Sequence, residues 1–159
     1  MKMAVIIRST LVVSILILFS CTTPENEPIA TIETTSIPEL EAQLLTIVNE
    51  HRELIGLSTL QHDPVAYEHA SEHNDYMIAR GNLSHDNFDS RASKIASETQ
   101  AKEVGENVAR DYDDAKAALN GWLSSPPHKN TLENNYTHTA ISVKKDGNNN
   151  IYYTQIFFK

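Results

Sequence analysis

Apolar positions recur with two different periods along this chain, and the change of period predicts its elements. Leu40, Leu44, Ile47, Val48 and Leu54 fall three or four apart along a first predicted helix. Ser36 and Glu39 have capping-box spacing before it, Pro38 suits its first turn and Gly56 its stop. Asp63 and Pro64 open a second helix that runs through "VAYEHASEHNDYMIAR" to Gly81, with Ala66, Ala70, His73 and Met77 on one face. "GNLSHDNFDS" reads as a loop, and "SRASKIASETQ" as a short helix. "DYDDAKAALNGWLSS" places Ala115, Ala118, Leu119 and Trp122 on one helical face, so Trp122 is expected in the core. "SSPPHKN" breaks that helix, and Asn130 to Leu132 make one further turn. The period then drops to two. "THTAISVKK" alternates, "DGNNN" is turn chemistry, and "IYYTQIFFK" is β-branched and aromatic throughout, as in a strand covered on both faces. Helices first and an antiparallel hairpin last predict an α+β fold.

One stretch fits neither period. In "EVGENVAR", residues 103–110, Gly105 disfavours a helix and Glu106 and Asn107 disfavour a strand. It reads as loop-like, with an acid and an amide held between Val104 and Val108.

The N-terminus has a different pattern again. Lys2 and Arg8 precede an apolar run from Leu11 to Phe19, which ends at Ser20 and Cys21. That is the plan of a secretory signal over residues 1–20, and the run is too short for a membrane span of roughly 20 apolar residues. "LFSC" resembles a bacterial lipobox, which makes Cys21 the expected lipidation site and a membrane the expected partner. Residues 21–37 are rich in Thr, Pro and Glu and read as a tether; residues 38–159 are left as one domain. Thr22 is not an inner-membrane retention aspartate, which points to an outer or exposed surface.

Charge narrows the functions. Removing residues 1–20 takes away Lys2 and Arg8 but no acid, so the net charge goes from −8 to −10. Such a chain is not built to bind nucleic acid. Cys21 is the only cysteine, so no disulfide forms within the domain, and a monomer is expected.

Seven histidines remain to be sorted. His51, His62, His69 and His138 have polar neighbours and read as solvated, whereas His73 reads as a core histidine. His85 and His128 each lie in a loop after a helix, where functional side chains concentrate. With Glu106 they form a sufficient ligand set for Zn²⁺ or another divalent metal with an open position. The same groups could serve acid–base chemistry. No zinc-protease helix motif, nucleophile elbow or phosphate loop is present.

"NLSHD", "VGENVA", "WLSSPPHKN" and "YYTQIFF", in this order, resemble the CAP superfamily of cysteine-rich secretory, antigen 5 and pathogenesis-related 1 proteins. "VNEHRELIGLSTLQHDPVAYEHASEHNDYM" resembles its opening, with N-x-x-R in the first helix. The resemblance implies an α-β-α sandwich with a small antiparallel sheet between helical layers. It also implies a cleft lined by His and Glu that holds a divalent metal in some members. His85, Glu106 and His128 match the motif positions, with Tyr153 and Gln155 as cleft walls. Asn107, an amide beside a glycine bend, is expected to bond backbone and hold the turn. A second cleft glutamate of the family has no secure counterpart. Two functions are compatible with this. One is an envelope-tethered, non-enzymatic binding module for a small ligand, lipid, glycan or peptide, which the lack of a nucleophile and of oxyanion donors favours. The alternative is a metal-dependent, peptidase-like hydrolase acting through metal-bound water.

Overall fold

The computed structural model describes residues 33–159. The expected signal sequence, Cys21 and most of the expected tether lie outside the described residues. The helices are α1 (Pro38–Leu54), α2 (Pro64–Arg80), α3 (Phe88–Thr99), α4 (Ala115–Ser124) and α5 (Pro126–Leu132). The strands are β1 (Thr34–Ser36), β2 (Gln61–His62), β3 (Val104–Arg110), β4 (His138–Asp146) and β5 (Ile151–Phe158). They form one sheet in the order β1-β4-β5-β3, antiparallel along that path, and the two-residue β2 pairs parallel with β4.

The sheet is the middle layer of an α-β-α sandwich, and β5 shows why. Its side chains alternate between apolar clusters on its two faces, as the pleat requires. Tyr153 and Phe157 join Leu44 and Val48 of α1, Trp122 of α4 and Leu132 of α5. Ile156 and Phe158 join Ala66 and Ala70 of α2 and Ile95 of α3 on the other side. Tyr152 packs there too, with Met77, Ile78 and Val108. A largely apolar strand is therefore stable because both of its faces are covered. Trp122 is in the core as expected, 1% exposed, and its indole N–H donates to the Val108 carbonyl at 3.0 Å.

The N-x-x-R pair of α1 is structural. Arg52 is buried and donates to the carbonyls of Ser58, Leu132, Asn134 and Tyr136, which ties α1 to the end of α5 and the run into β4. Asn49 exchanges two hydrogen bonds with the Leu60 backbone just before β2.

Asp63 caps α2 through the Ala66 amide, and Gly81 ends it in the left-handed region at φ 66°, both as the sequence implies. Other boundaries differ. Ser36 does not cap α1; it lies in β1, and Ile37 takes the cap position without a side-chain bond. Within the stretch expected to be a tether, Thr34–Ser36 instead pair with Lys144–Asp146 along the edge of β4. α3 starts at Phe88, inside the expected loop. α5 is a seven-residue helix, not a single turn after a break. Pro126 stands in its first turn, where a missing N–H costs no helical bond.

Candidate functional site

Residues 103–110 are not a loop. Val104–Arg110 form β3, paired with β5 over its whole length. Tertiary packing overrides propensity here because each polar side chain finds a partner on its own face. Gly105 serves a close approach: a Cβ there would stand 2.5 Å from the Tyr136 hydroxyl. Glu106 lies opposite Ile156, so its side chain enters the α2/α3 side of the sheet. Asn107 points the other way and donates to the His128 carbonyl at 3.0 Å, a backbone bond as expected, though it holds α5 against a strand instead of holding a turn.

The Glu106 carboxylate is buried and accepts a hydrogen bond on each oxygen. Arg91 of α3 places Nε 2.8 Å from Oε2, with Nη2 2.6 Å from the same oxygen. Arg91 Nη1 also donates to the Asp86 carbonyl at 3.2 Å. His85, from the loop after α2, sets Nδ1 2.9 Å from Oε1. A carboxylate only accepts, so Nδ1 carries the proton and the His85 Nε2 lone pair is left for other partners. His73 of α2 approaches Oε1 at 3.8 Å while its Nε2 donates to the Ser84 carbonyl at 2.8 Å. Burial pushes the His73 pKa below its ordinary value, against the opposing pull of Glu106.

His128 comes from α5 instead of a loop, and its ring centre lies 6.2 Å from that of His85. Its Nδ1 is 2.9 Å from the Ser125 hydroxyl. Ser125 thus supplies the partner that orients this second imidazole. Burial, and then the neighbouring His85, lower the His128 pKa. The structure therefore places His85, Glu106 and His128 near one another, with His85 in the middle. The His85 side chain is 49% exposed above a Glu106 side chain that is 1% exposed.

The three residues do not fit a metal as three direct ligands. Both Glu106 oxygens are engaged by Arg91 and His85, and no group of three or more His, Cys, Asp or Glu is arranged to hold an ion among the described residues. The donors left over are two imidazoles, each held through Nδ1 by a second group, which is how metal-binding histidines are commonly oriented.

Tyr153 and Gln155 are not cleft walls. The register places them on the opposite face of the sheet from Glu106. Both are fully buried. The Tyr153 hydroxyl donates to the Tyr112 carbonyl at 2.7 Å, and burial pushes its pKa up to about 12. Gln155 donates to the Thr139 hydroxyl. Alternation along β5, read together with Phe157, would have placed them in the core.

Arg91 escapes sequence reasoning, because it carries no motif and reaches Glu106 only through the α3–β3 packing. His73 is a core histidine as expected, yet it also borders the site. His69 is not solvated: it is 9% exposed, between Glu72 and Glu98. His51 is half-buried against Glu133, and His138 stacks on Phe158.

A family model for the cysteine-rich secretory protein family, CAP, matches residues 45–157. The chain belongs to this family. Its CAP domain is 34% identical over 132 residues to "Uncharacterized membrane protein YlbC" of Bacillus subtilis (strain 168), a match that takes in 80% of this chain and 36% of the relative. The chain thus spans about a third of that relative's length. Among solved structures it resembles an outer surface protein from Borrelia burgdorferi, with a TM-score of 0.72, 22% identity, and coverage of 80% of this chain and 98% of that one. It also resembles an extracellular protein containing an SCP domain from Bacillus anthracis, with a TM-score of 0.68, 26% identity, and coverage of 77% and 41%. A cysteine-rich secretory protein from Staphylococcus aureus gives a TM-score of 0.66 at 24% identity, covering 76% and 38%. The borrelial and staphylococcal likenesses bear on the fold of the CAP domain alone.

Proposed function

We propose that this chain is an exported CAP-domain protein, tethered to the cell envelope through lipidated Cys21, that works as a non-enzymatic binding module. The observation that carries the non-enzymatic reading is the Glu106 carboxylate. With Arg91 on one oxygen and His85 on the other, it is a fixed support for an imidazole and not a free base. The site therefore presents two oriented imidazoles to solvent. A divalent ion, Zn²⁺ foremost, would be held there by His85 and His128, with Glu106 acting through His85 to fix its ring. The names of similar proteins, an outer surface protein, an extracellular protein and a membrane protein, agree with export.

Calorimetric Zn²⁺ titration tests the site. His85→Ala and His128→Ala should each abolish most of the affinity, with a cooperative thermal melt retained in both to show that the domain still folds. Binding that survives both substitutions would remove the imidazoles from the site. Export and anchoring are tested separately. Cys21→Ser should shift the protein out of the membrane fraction or leave it as an uncleaved precursor, and unchanged fractionation and mass would end the tether reading.

A further inference from the structure

The groove between α2 and α3 holds a cavity of about 150 Å³, room for a handful of water-sized groups. One wall is a stripe of α2 that includes Glu72, His73 and Tyr76. The other carries Asn87 from the cap of α3, with Ser90 and Lys94 from its next turns. The spacing of three and four residues puts each set on one face of its helix. The two helices run antiparallel. His69, early in α2, lies 3.4 Å from Glu98 near the end of α3, and the Tyr76 hydroxyl, late in α2, donates to Asp86 just before α3. Glu72 therefore stands across the groove from the stretch that holds Ser90 and Lys94.

The two walls are opposite in character. On the α2 side Glu72 is a carboxylate whose side chain is 73% exposed and which meets only His69, at 3.9 Å. His73 adds to the same wall from below the surface. Its Nε2 donates to Ser84, so Nδ1 carries a lone pair, and that atom has no partner among the described residues. On the α3 side the groups that face solvent are donors. Lys94 is exposed and makes no ion pair with the described residues, and the Ser90 hydroxyl is likewise unspent. Asn87 sits at the cap position in the left-handed region, at φ 60°, and makes no cap bond, so its carboxamide is also available. Arg91 lines the groove too, but its charge is committed to Glu106.

No ion pair joins Glu72 to Lys94 among the described residues, so the groove holds one accessible charge of each sign with space between them. A simple anion would gain Lys94 and face Glu72. A simple cation would gain Glu72 and face Lys94. A ligand that carries both charges a few atoms apart satisfies both walls at once.

We propose that the groove between α2 and α3 is a binding site, separate from the two imidazoles, for a small zwitterion of amino-acid size. Its ammonium group pairs with Glu72, and its anionic oxygens take Lys94, the Ser90 hydroxyl and the Asn87 amide.

Alanine, propionate and ethylamine share a carbon frame and differ in their charged ends, so they test this on isotopically labelled full-length protein. Phosphoethanolamine is added to separate the two sources of such a ligand, a free amino acid and a lipid headgroup. The tighter of the two zwitterions should shift the Asn87 side-chain and Ser90 backbone amide resonances. It should bind about 10-fold or more tighter than propionate or ethylamine, since each of those lacks one charged contact. Lys94→Met should bring that affinity down to the level of ethylamine, and Glu72→Gln down to the level of propionate, with a cooperative melt retained in both. Absence of amide shifts with both zwitterions would overturn the proposal. So would equal or tighter binding of propionate or ethylamine, or full zwitterion affinity in either variant. No metal enters the experiment, so its failure is distinct from failure of the imidazole site.

Discussion

Glu106 concentrates the energetic risk of the site in one side chain. It is a buried charge, and it is tolerable because Arg91 neutralises it and His85 takes its second oxygen. Glu106→Gln would leave the Arg91 guanidinium buried without a counter-charge, a change that costs about 3–5 kcal/mol in comparable pairs. Chemical denaturation should show that loss, and adding Arg91→Met should recover a good part of it. Strict additivity of the two substitutions would mean that they do not form a pair. His73 supplies a pH test. The groups facing it are Glu106, Arg91 and His85, and burial outweighs Glu106 in lowering its pKa. The unfolded chain therefore takes up a proton near pH 6.5 that the folded chain still refuses. Stability should fall as pH drops below about 6.5, and His73→Gln should flatten that slope; His128, lowered likewise by burial, acts in the same direction. A melting temperature independent of pH from 7 to 5 in the wild type would contradict this.

At the scale of elements, what is legible in the sequence tracks local signals. α2 is announced by Asp63, Pro64 and Gly81, and it begins and ends where they say. β3 is illegible because nothing local favours it: its Glu, Asn and Gly are each explained only by residues more than ten positions away. α5 is hidden by two prolines that read as a break, yet occupy the first turn of a helix held by Arg52 from α1. The candidate site is half legible for the same reason. His85, Glu106 and His128 stand out through motif order, whereas Arg91 depends on a helix packing onto a strand. Tyr153 and Gln155 are misplaced when motif proximity is followed in preference to strand alternation. α4 offers the sharpest test of packing. Trp122→Ala removes a core aromatic, which costs about 3–5 kcal/mol, and also leaves the Val108 carbonyl without its indole donor. A domain that melts within a few degrees of wild type would show that α4 does not seal this layer.

For the whole molecule, the order of strands has a consequence for the timing of folding. β5 lies between β4 and β3 and carries side chains into the clusters on both faces, although it comes after every other element in the chain. A nascent chain that has reached Asp146 has all five described helices and four of the five strands, but nothing to join β3 to β4. The layers cannot close by local contacts, and the long-range pairings that close them wait for residues 151–158. Synthesis and closure are thereby separated: until residues 151–158 have emerged from a ribosome or a narrow pore, the central seam between β3 and β4 stays open.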